Sequence, residues 1–204
     1  MRMFSVYKIR QFVGRVCVAA VVSCLCLISS QAVARESARD RATETSTWRG
    51  LVTRVIDGDT IKVIALTAAP QKPVKLRLTD IDAPETRHGR DRPGQPFGQA
   101  ARRYLSDLTL NKNVSLECYG QATYDREDVC RVRVDGVDAG RELVKAGLAW
   151  VENNPRYVRD KSMHEVQKEA QTLQLGLWRS KEKPIEPWVW RRVCWKDKQC
   201  EQGE

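Results

Sequence analysis

Five short runs of alternating apolar and polar residues, with turn signals between them, constrain the fold of this chain more than any other feature. The first two runs, 51–56 and 60–64, flank Asp57-Gly58, a dipeptide suited to the positive φ angles of a tight hairpin turn. The third run, 74–79, has a period of two and places Arg77 opposite its aliphatic face. These three runs predict three sequential strands, the first two joined as a hairpin.

A helical stretch follows the third run, and two more alternating runs follow the helix. The spacing of apolar residues predicts a helix over 96–110, strands over 114–118 and 130–134, and further helices over 139–146 and 162–175. Asp135-Gly136 predicts a turn after the last strand, Asp138 is the predicted N-cap of the helix at 139–146, and Ser162 with Glu165 predicts a capping box at the last helix. Five strands interrupted by a helix after the third are typical of a small, partly open barrel. We therefore predict an α+β protein, mainly β, built on a five-stranded OB-type barrel with three helices.

The cysteines support this strand assignment and indicate the redox compartment. Cys118 and Cys130 have the same parity as the apolar residues of their strands, so both point into the core and meet if the strands are antiparallel neighbours. Two buried thiols are the alternative. Cys194 and Cys200 are close enough in sequence for a local loop disulfide. Four cysteines remain after residue 34, an even number that fits an oxidising compartment.

Residues 1–34 have the features of a secretory signal peptide. Four basic residues precede an apolar stretch, 16–28, which is followed by small residues and an Ala32-Val33-Ala34 cleavage site. The alternative is an uncleaved membrane anchor, but thirteen residues span only about 20 Å as a helix, short of the roughly 30 Å hydrocarbon core. We expect a periplasmic or secreted mature protein, with no membrane association.

Composition divides the rest of the chain and excludes several classes of protein. Residues 35–47 are polar and predict a flexible lead-in, 48–180 form the expected domain, and 181–204 form a Trp- and Cys-containing extension. With 30% charged residues the chain is not a multispanning membrane protein, and two histidines leave little material for a His-based site. Removing four signal-peptide charges from the net +9 leaves +5, which favours a polyanionic partner only weakly.

Four polar residues in the strand region are candidates for chemistry. Asp59 follows the hairpin turn, Arg77 lies in the third strand, and Asp82 and Glu85 flank a proline that restricts the chain between them. Carboxylates with a backbone carbonyl suit a hard divalent cation such as Ca²⁺, and arginine suits a phosphate. The alternative is that acids beside glycine and proline only form turns.

These residues lie in two motifs that resemble the signature of the staphylococcal (micrococcal) nuclease, or thermonuclease, family. The motifs are IDGDT at 56–60 and LRLTDIDAPET at 76–86, in the order that the family has them. The similarity runs from residue 48 to residue 191 and includes segments at 96–101, 141–149, 169–171, 176–178 and 187–191.

The resemblance implies an OB-fold nuclease that needs Ca²⁺, acts on DNA and RNA, and leaves 3′-phosphate ends. It implies that Asp59 and Asp82 are metal ligands through their carboxylates and Ala83 through its backbone carbonyl. It implies that Glu85 orients or deprotonates the attacking water and that Arg77 binds the scissile phosphate.

A second arginine of the family has no unambiguous counterpart here. Counting back without a gap from the turn at 135–136 places Glu127 at that position, whereas one extra turn residue places Arg126 there. We favour Arg126, because turns accommodate insertions easily. If Arg126 does not fill this role, Arg77, the metal and Arg131 would have to stabilise the negative charge of the transition state. Tyr124 is interpreted as stacking on a base or sugar, with a structural role as the alternative.

The extension is rich in tryptophan. Trp188 and Trp190 are interpreted as packing against the barrel; the alternative is that they grip single-stranded nucleic acid together with Arg191 and Arg192.

The sequence thus predicts an exported, monomeric, sugar-nonspecific endonuclease with DNA and RNA as substrates. The alternatives are an OB-fold protein that binds single-stranded nucleic acid without cutting it, and a disulfide-stabilised adaptor of the cell envelope.

Overall fold

A computed structural model describes residues 45–67, 72–121 and 128–200. The predicted signal peptide at 1–34 lies outside these residues, and so do Tyr124 and Arg126. The strands are β1 Ser46–Val55, β2 Thr60–Ala65, β3 Val74–Leu78, β4 Ile81–Asp82, β5 Asn113–Gln121, β6 Asp128–Val134, β7 Val137–Asp138 and β8 Trp150–Val151. The α-helices are α1 Gly98–Thr109, α2 Ala139–Lys145, α3 Met163–Thr172 and α4 Pro187–Trp190.

Five strands close a barrel in the order β3-β2-β1-β5-β6. Neighbouring strands are antiparallel, except that β3 and β6 pair in parallel, from Leu76 opposite Asp128 to Leu78 opposite Cys130. The predicted α+β fold, a five-stranded OB-type barrel, is confirmed. Helices α1, α2 and α3 are the three predicted ones, and the extension adds the short α4 together with a π-helical segment, Arg191–Lys196.

The strand pattern that predicted the barrel also accounts for its core. Inward positions of the strands and one side of α1 and α2 are fully buried, and burial of each large aliphatic side chain contributes roughly 1.5–3 kcal/mol. The fully buried aliphatic side chains include Val52, Ile61, Val63, Leu76, Leu105, Val114, Val132, Leu143 and Val144. Cys118 and Cys130 lie opposite each other on β5 and β6 and form the predicted disulfide; Cys194 and Cys200 form the second.

Two local predictions were wrong. Neither Asp57 nor Gly58 has a positive φ: the β1–β2 connection is wider than a two-residue turn and is closed by Ile56 N–H donating to Thr60 O at 2.8 Å. Ser162 precedes α3 but its side chain does not cap the helix, because its hydroxyl donates to Asp160 Oδ1 at 2.7 Å instead. In both places a different local hydrogen bond replaced the predicted motif.

Other local predictions were confirmed. Asp135 and Gly136 both have positive φ in the turn between β6 and β7, and Asp138 Oδ1 caps α2 by accepting from Arg141 N–H at 3.1 Å. By contrast, strand β1 begins at Ser46, so residues 46 and 47 of the predicted flexible lead-in are part of the barrel. Across the described ranges, every helix is too short or too polar to cross a membrane.

Candidate active site

The β1–β2 connection holds Asp59 in a buried position beside the barrel. The Asp59 carboxylate accepts hydrogen bonds from the Thr60 hydroxyl at 2.9 Å and from Ala83 N–H at 3.1 Å. Gly58 permits this approach, because a Cβ there would lie 2.7 Å from the Cβ atoms of Ala83 and Ala101. The motif at 56–60 therefore places a carboxylate against the second motif, 24 residues further along the chain.

Arg77 and Asp82 meet Asp59 from strands β3 and β4. Arg77 Nη2 lies 2.9 Å from Asp59 Oδ2 and 2.8 Å from Asp82 Oδ1. The period of two turns Arg77 away from the buried Leu76 and Leu78, as predicted, and its side chain stays 27% exposed. Asp82 is only 1% exposed, so the guanidinium lies between two buried carboxylates and the solvent.

Glu85 is positioned through its backbone. Its N–H donates to Gln95 Oε1 at 3.2 Å, and its carbonyl accepts from Gln95 N–H at 2.8 Å. The first residue of α1, Gly98, lies so close that a Cβ would be 2.2 Å from the Glu85 carbonyl oxygen. The glycine of the 96–101 segment thus serves close packing beneath the predicted general base.

A second guanidinium, from Arg191 at the end of α4, completes the site. Arg191 Nη1 lies 3.0 Å from Asp82 Oδ1 and 2.5 Å from Glu85 Oε1, and Nη2 lies 2.6 Å from Asp82 Oδ2. The sequence assigned Arg191 no catalytic role. Its position next to Trp190 in a segment resembling the family was the available signal, but the contact to Glu85 spans 106 residues.

We refer to Asp57, Asp59, Arg77, Asp82, Glu85 and Arg191 as the Asp82 cluster. Asp57 belongs to it because its Oδ1 accepts Asp59 N–H at 3.4 Å. Four carboxylates thus face two guanidinium groups, which leaves a formal charge of −2 when all six are ionised.

Burial and this surplus of negative charge shift the titration of the cluster. Burial raises the pKa of Asp59 to about 6, opposed by Arg77. Burial, with the charge of Asp59 added, raises the pKa of Glu85 to about 8, opposed by Arg191. Burial alone would lower the pKa of Arg77, but Asp59 and Asp82 raise it above its ordinary value, so this guanidinium stays charged.

The donor chemistry suits a hard divalent cation. The cluster offers only carboxylate and backbone oxygens, it is buried, and it lacks two positive charges for neutrality. Within residues 45–67, 72–121 and 128–200, no group of three or more His, Cys, Asp or Glu side chains is arranged to hold a metal ion. In this arrangement Arg77 and Arg191 contact both carboxylate oxygens of Asp82.

The structure brings Asp59, Arg77, Asp82 and Glu85 together, as the sequence predicted. Ala83 adjoins them and its N–H is bound to Asp59; the predicted metal contact of its carbonyl stays a prediction. Tyr124 and Arg126 lie outside the described residues, so their predicted roles remain predictions.

Arg131, the predicted substitute for the second arginine, does not join the Asp82 cluster. Its guanidinium lies 2.9 Å from Asp80 Oδ2 and 3.3 Å from Asp138 Oδ2. Arg131 therefore belongs to a separate ion-pair cluster with Asp80, Glu117 and Asp138.

Comparison with known proteins places this geometry in context. The family model for staphylococcal nuclease homologues matches residues 75–180, just over half of the chain. The chain is 35% identical over 154 residues to the micrococcal nuclease of Shigella flexneri, covering 72% of this chain and 82% of that one.

Two further relatives are similar over comparable lengths. An uncharacterised endonuclease of Haemophilus influenzae is 36% identical over 141 residues, covering 69% of this chain and 71% of its own length. The protein ParB of Escherichia coli is 35% identical over 153 residues, covering 71% and 79%.

Proposed function

Because the chain belongs to the staphylococcal nuclease family, we propose that it is a Ca²⁺-dependent endonuclease that hydrolyses the phosphodiester bonds of both DNA and RNA. The observation that carries the proposal is the convergence of Asp59, Arg77, Asp82 and Glu85 on one buried cluster. Two relatives are named as nucleases and this chain has the same family's motifs, so the cluster is where we place the chemistry.

The proposed reaction is addition of water to phosphorus with cleavage of the bond to the 5′ oxygen. It gives a 3′-phosphate and a 5′-hydroxyl. Glu85 would orient the water and take its proton; its pKa, raised to about 8 by burial and by the charge of Asp59, makes its carboxylate a stronger base than that of an ordinary glutamate. Arg77 would bind the scissile phosphate, since its planar donors match two phosphate oxygens and it stays charged.

Asp59, Asp82 and the Ala83 carbonyl are the groups that would hold Ca²⁺. When bound, the cation would offset the surplus negative charge of the cluster and stabilise charge on the phosphate oxygens. The residues that surround the cluster keep its carboxylates buried, so that electrostatic attraction there is screened less than at the surface.

We further propose that the protein is exported and monomeric. Support comes from the signal-peptide pattern of residues 1–34 and from the disulfides Cys118–Cys130 and Cys194–Cys200, which persist in oxidising compartments. Processing at Ala34, seen by N-terminal sequencing of protein from a periplasmic fraction or culture medium, would support export. Light scattering during gel filtration tests the monomer.

The decisive experiment is a cleavage assay of the purified mature protein. Single- and double-stranded DNA and RNA are incubated with Ca²⁺ or with a chelator, alongside a Glu85→Gln variant. We expect all four substrates to be cut to 3′-phosphate ends with Ca²⁺ only, and the rate to fall about 10²–10⁴-fold in the variant. If the protein binds nucleic acid but cuts none of the four substrates, it is the binding protein of the alternative hypothesis and not a nuclease.

A further inference from the structure

The extension delivers Arg191 to the same oxygen that Arg77 contacts. Arg77 Nη2 lies 2.8 Å and Arg191 Nη1 lies 3.0 Å from Asp82 Oδ1. Two guanidinium groups from opposite ends of the domain sequence therefore meet at one carboxylate, with Glu85 beside the second of them.

The two arginines lie on the open side of the cluster. Their side chains are 27% and 34% exposed, whereas those of Asp82 and Glu85 are 1% and 11% exposed. An anion that approaches from solvent meets the guanidinium groups before the carboxylates. Arginine has five N–H donors. The two terminal nitrogens of Arg191 make three described hydrogen bonds, two to Asp82 and one to Glu85.

The extension is anchored in a way that fixes Arg191 relative to Glu85. Trp190 Nε1 and Trp195 Nε1 both donate to the Pro93 carbonyl, at 3.1 and 2.9 Å. Lys198 Nζ donates to the Asp91 carbonyl at 2.7 Å.

The same loop also binds Glu85. Gln95 holds the Glu85 backbone, and Gln95 Nε2 donates to the Ile185 carbonyl at the start of the extension. One loop, 91–95, therefore positions both the predicted general base and the additional arginine.

The backbone of the extension at this point is itself unusual. A π-helical segment, Arg191–Lys196, begins at the arginine, and the Cys194–Cys200 disulfide closes the loop that follows. Single π-helical turns are rare and frequently occur at functional sites.

We infer that Arg191 is a phosphate-binding arginine of the active site, which contacts the scissile phosphate and, with Arg77, stabilises the charge that develops on its nonbridging oxygens. This inference rests on the proposed nuclease function. It assigns the extension, beyond the end of the family match at residue 180, a direct part in catalysis. A planar guanidinium held in place before the reaction is suited to this role, because it costs no reorganisation when charge develops.

The test compares Arg191→Ala and Arg191→Lys with a matched control, Arg192→Ala. Arg192 is the neighbouring arginine, carries the same charge and is exposed. Cleavage of a 5′-fluorescein-labelled single-stranded oligonucleotide gives kcat and KM with Ca²⁺. Anisotropy of the same oligonucleotide in chelator gives its affinity as a function of salt. Thermal unfolding of each variant reports on folding.

We expect Arg191→Ala to lower kcat about 10²–10³-fold with an unfolding midpoint close to the wild type. Arg191→Lys should recover only a small part of kcat, because an ammonium lacks the planar fork. In chelator, Arg191→Ala should flatten the slope of log K against log[salt] by about 0.7, the loss of one phosphate contact on a single strand. Arg192→Ala should leave kcat and the slope unchanged.

Three results would overturn the inference. If Arg191→Ala cleaves as fast as the wild type or faster, Arg191 only covers the carboxylates of Asp82 and Glu85 and takes no part in the reaction. Full recovery of kcat by Arg191→Lys would show that a point charge suffices. An unchanged salt slope would show that Arg191 does not contact a phosphate.

Failure of the proposed function is distinguishable, since wild-type protein would then cut nothing while the binding measurement still reports on Arg191.

Discussion

Asp80 and Asp82 lie two residues apart and both bind arginine, yet the structure uses them differently. Asp80 is buried at a positive φ of 70°, and its carboxylate accepts from Arg131 Nη2 at 2.9 Å and from the backbone N–H groups of Arg159 and Asp160. The described hydrogen bonds to the Asp82 carboxylate all come from arginine side chains. The main-chain donors tie the Asp80 carboxylate to the loop at 159–160, so these bonds are lost only if that loop unfolds. The bonds to the Asp82 carboxylate join side chains, so they can be lost without unfolding.

The two clusters also differ in charge. We call Asp80, Glu117, Arg131, Arg133, Asp138 and Arg159 the Asp80 cluster; its three acids and three arginines are formally neutral, against −2 for the Asp82 cluster. Arg131 joins its acids, with 3.3 Å to Asp138 Oδ2, and Arg159 stacks over the Tyr119 ring at 4.0 Å from its centroid. The comparison teaches that an acid bound by the main chain stabilises the fold, while an acid bound by arginine side chains in a cluster of surplus negative charge is placed for chemistry.

The largest expected effect is the loss of folding stability when the Asp80 carboxylate is removed. Asp80→Ala should lower the free energy of unfolding by about 3 kcal/mol, because it removes one of the acids that pair with the largely buried Arg131 and the acceptor of two backbone donors. Urea denaturation followed by circular dichroism measures it. An equally stable Asp80→Ala protein would contradict the structural role of the Asp80 cluster.

The converse change is Asp82→Asn. We expect kcat/KM to fall about 10²–10³-fold while the free energy of unfolding in chelator stays within about 1 kcal/mol of the wild type. Asp59 and Glu85 remain to pair Arg77 and Arg191, so no guanidinium is left alone. If Asp82→Asn destabilised the protein as much as Asp80→Ala, the two clusters would not differ in kind.

A pair of glycines compares the main chain at the two clusters. A Cβ on Gly98 would lie 2.2 Å from the Glu85 carbonyl oxygen, whereas one on Gly140 would lie 3.4 Å from Asp138 Oδ1, an ordinary contact. Gly98→Ala should cost about 1–3 kcal/mol and reduce cleavage by displacing Glu85. Gly140→Ala, in α2, should be neutral or slightly stabilising. Both are measured by urea denaturation; equal costs would remove the distinction.

A pH dependence of stability is expected from Glu85 of the Asp82 cluster. The folded-state pKa of Glu85 is raised from 4.5 to about 8, so between these values the folded protein binds a proton that the unfolded chain has lost. In chelator, stability should therefore be highest at the acid end of this window and fall as pH rises toward 8, which lowers Tm. Glu85→Gln should flatten the curve; parallel curves would contradict the assignment.

The sequence predicted four residues of the site but not that Arg191 joins them. Asp59, Arg77, Asp82 and Glu85 were identified from motifs, and the structure brings them together. Arg191 was assigned only an alternative role in gripping single strands, because nothing in the local pattern indicates that the extension folds back onto the loop at 91–95. Asp80 stands in the same motif as Asp82, and the motif does not separate a structural acid from a reactive one.

Local physics explains which elements the sequence alone determined. Alternating polarity predicted the barrel strands, side-chain parity predicted the Cys118–Cys130 pairing, and the residue preferences of turns predicted the bend at 135–136. Each of these depends on neighbours within a few residues or on one strand pair, so the linear pattern contains the information.

Only the tertiary structure decided which arginine binds which acid. Arg131 meets Asp80 across 51 residues and Arg191 meets Asp82 across 109, and both pairings depend on how loops and the extension pack on the finished barrel. Burial then raises the pKa of Glu85 by removing water from its carboxylate, and the charge of the neighbouring Asp59 adds to this shift. A surplus of carboxylates over arginines arises from that packing, because ions far apart along the chain share one poorly solvated site.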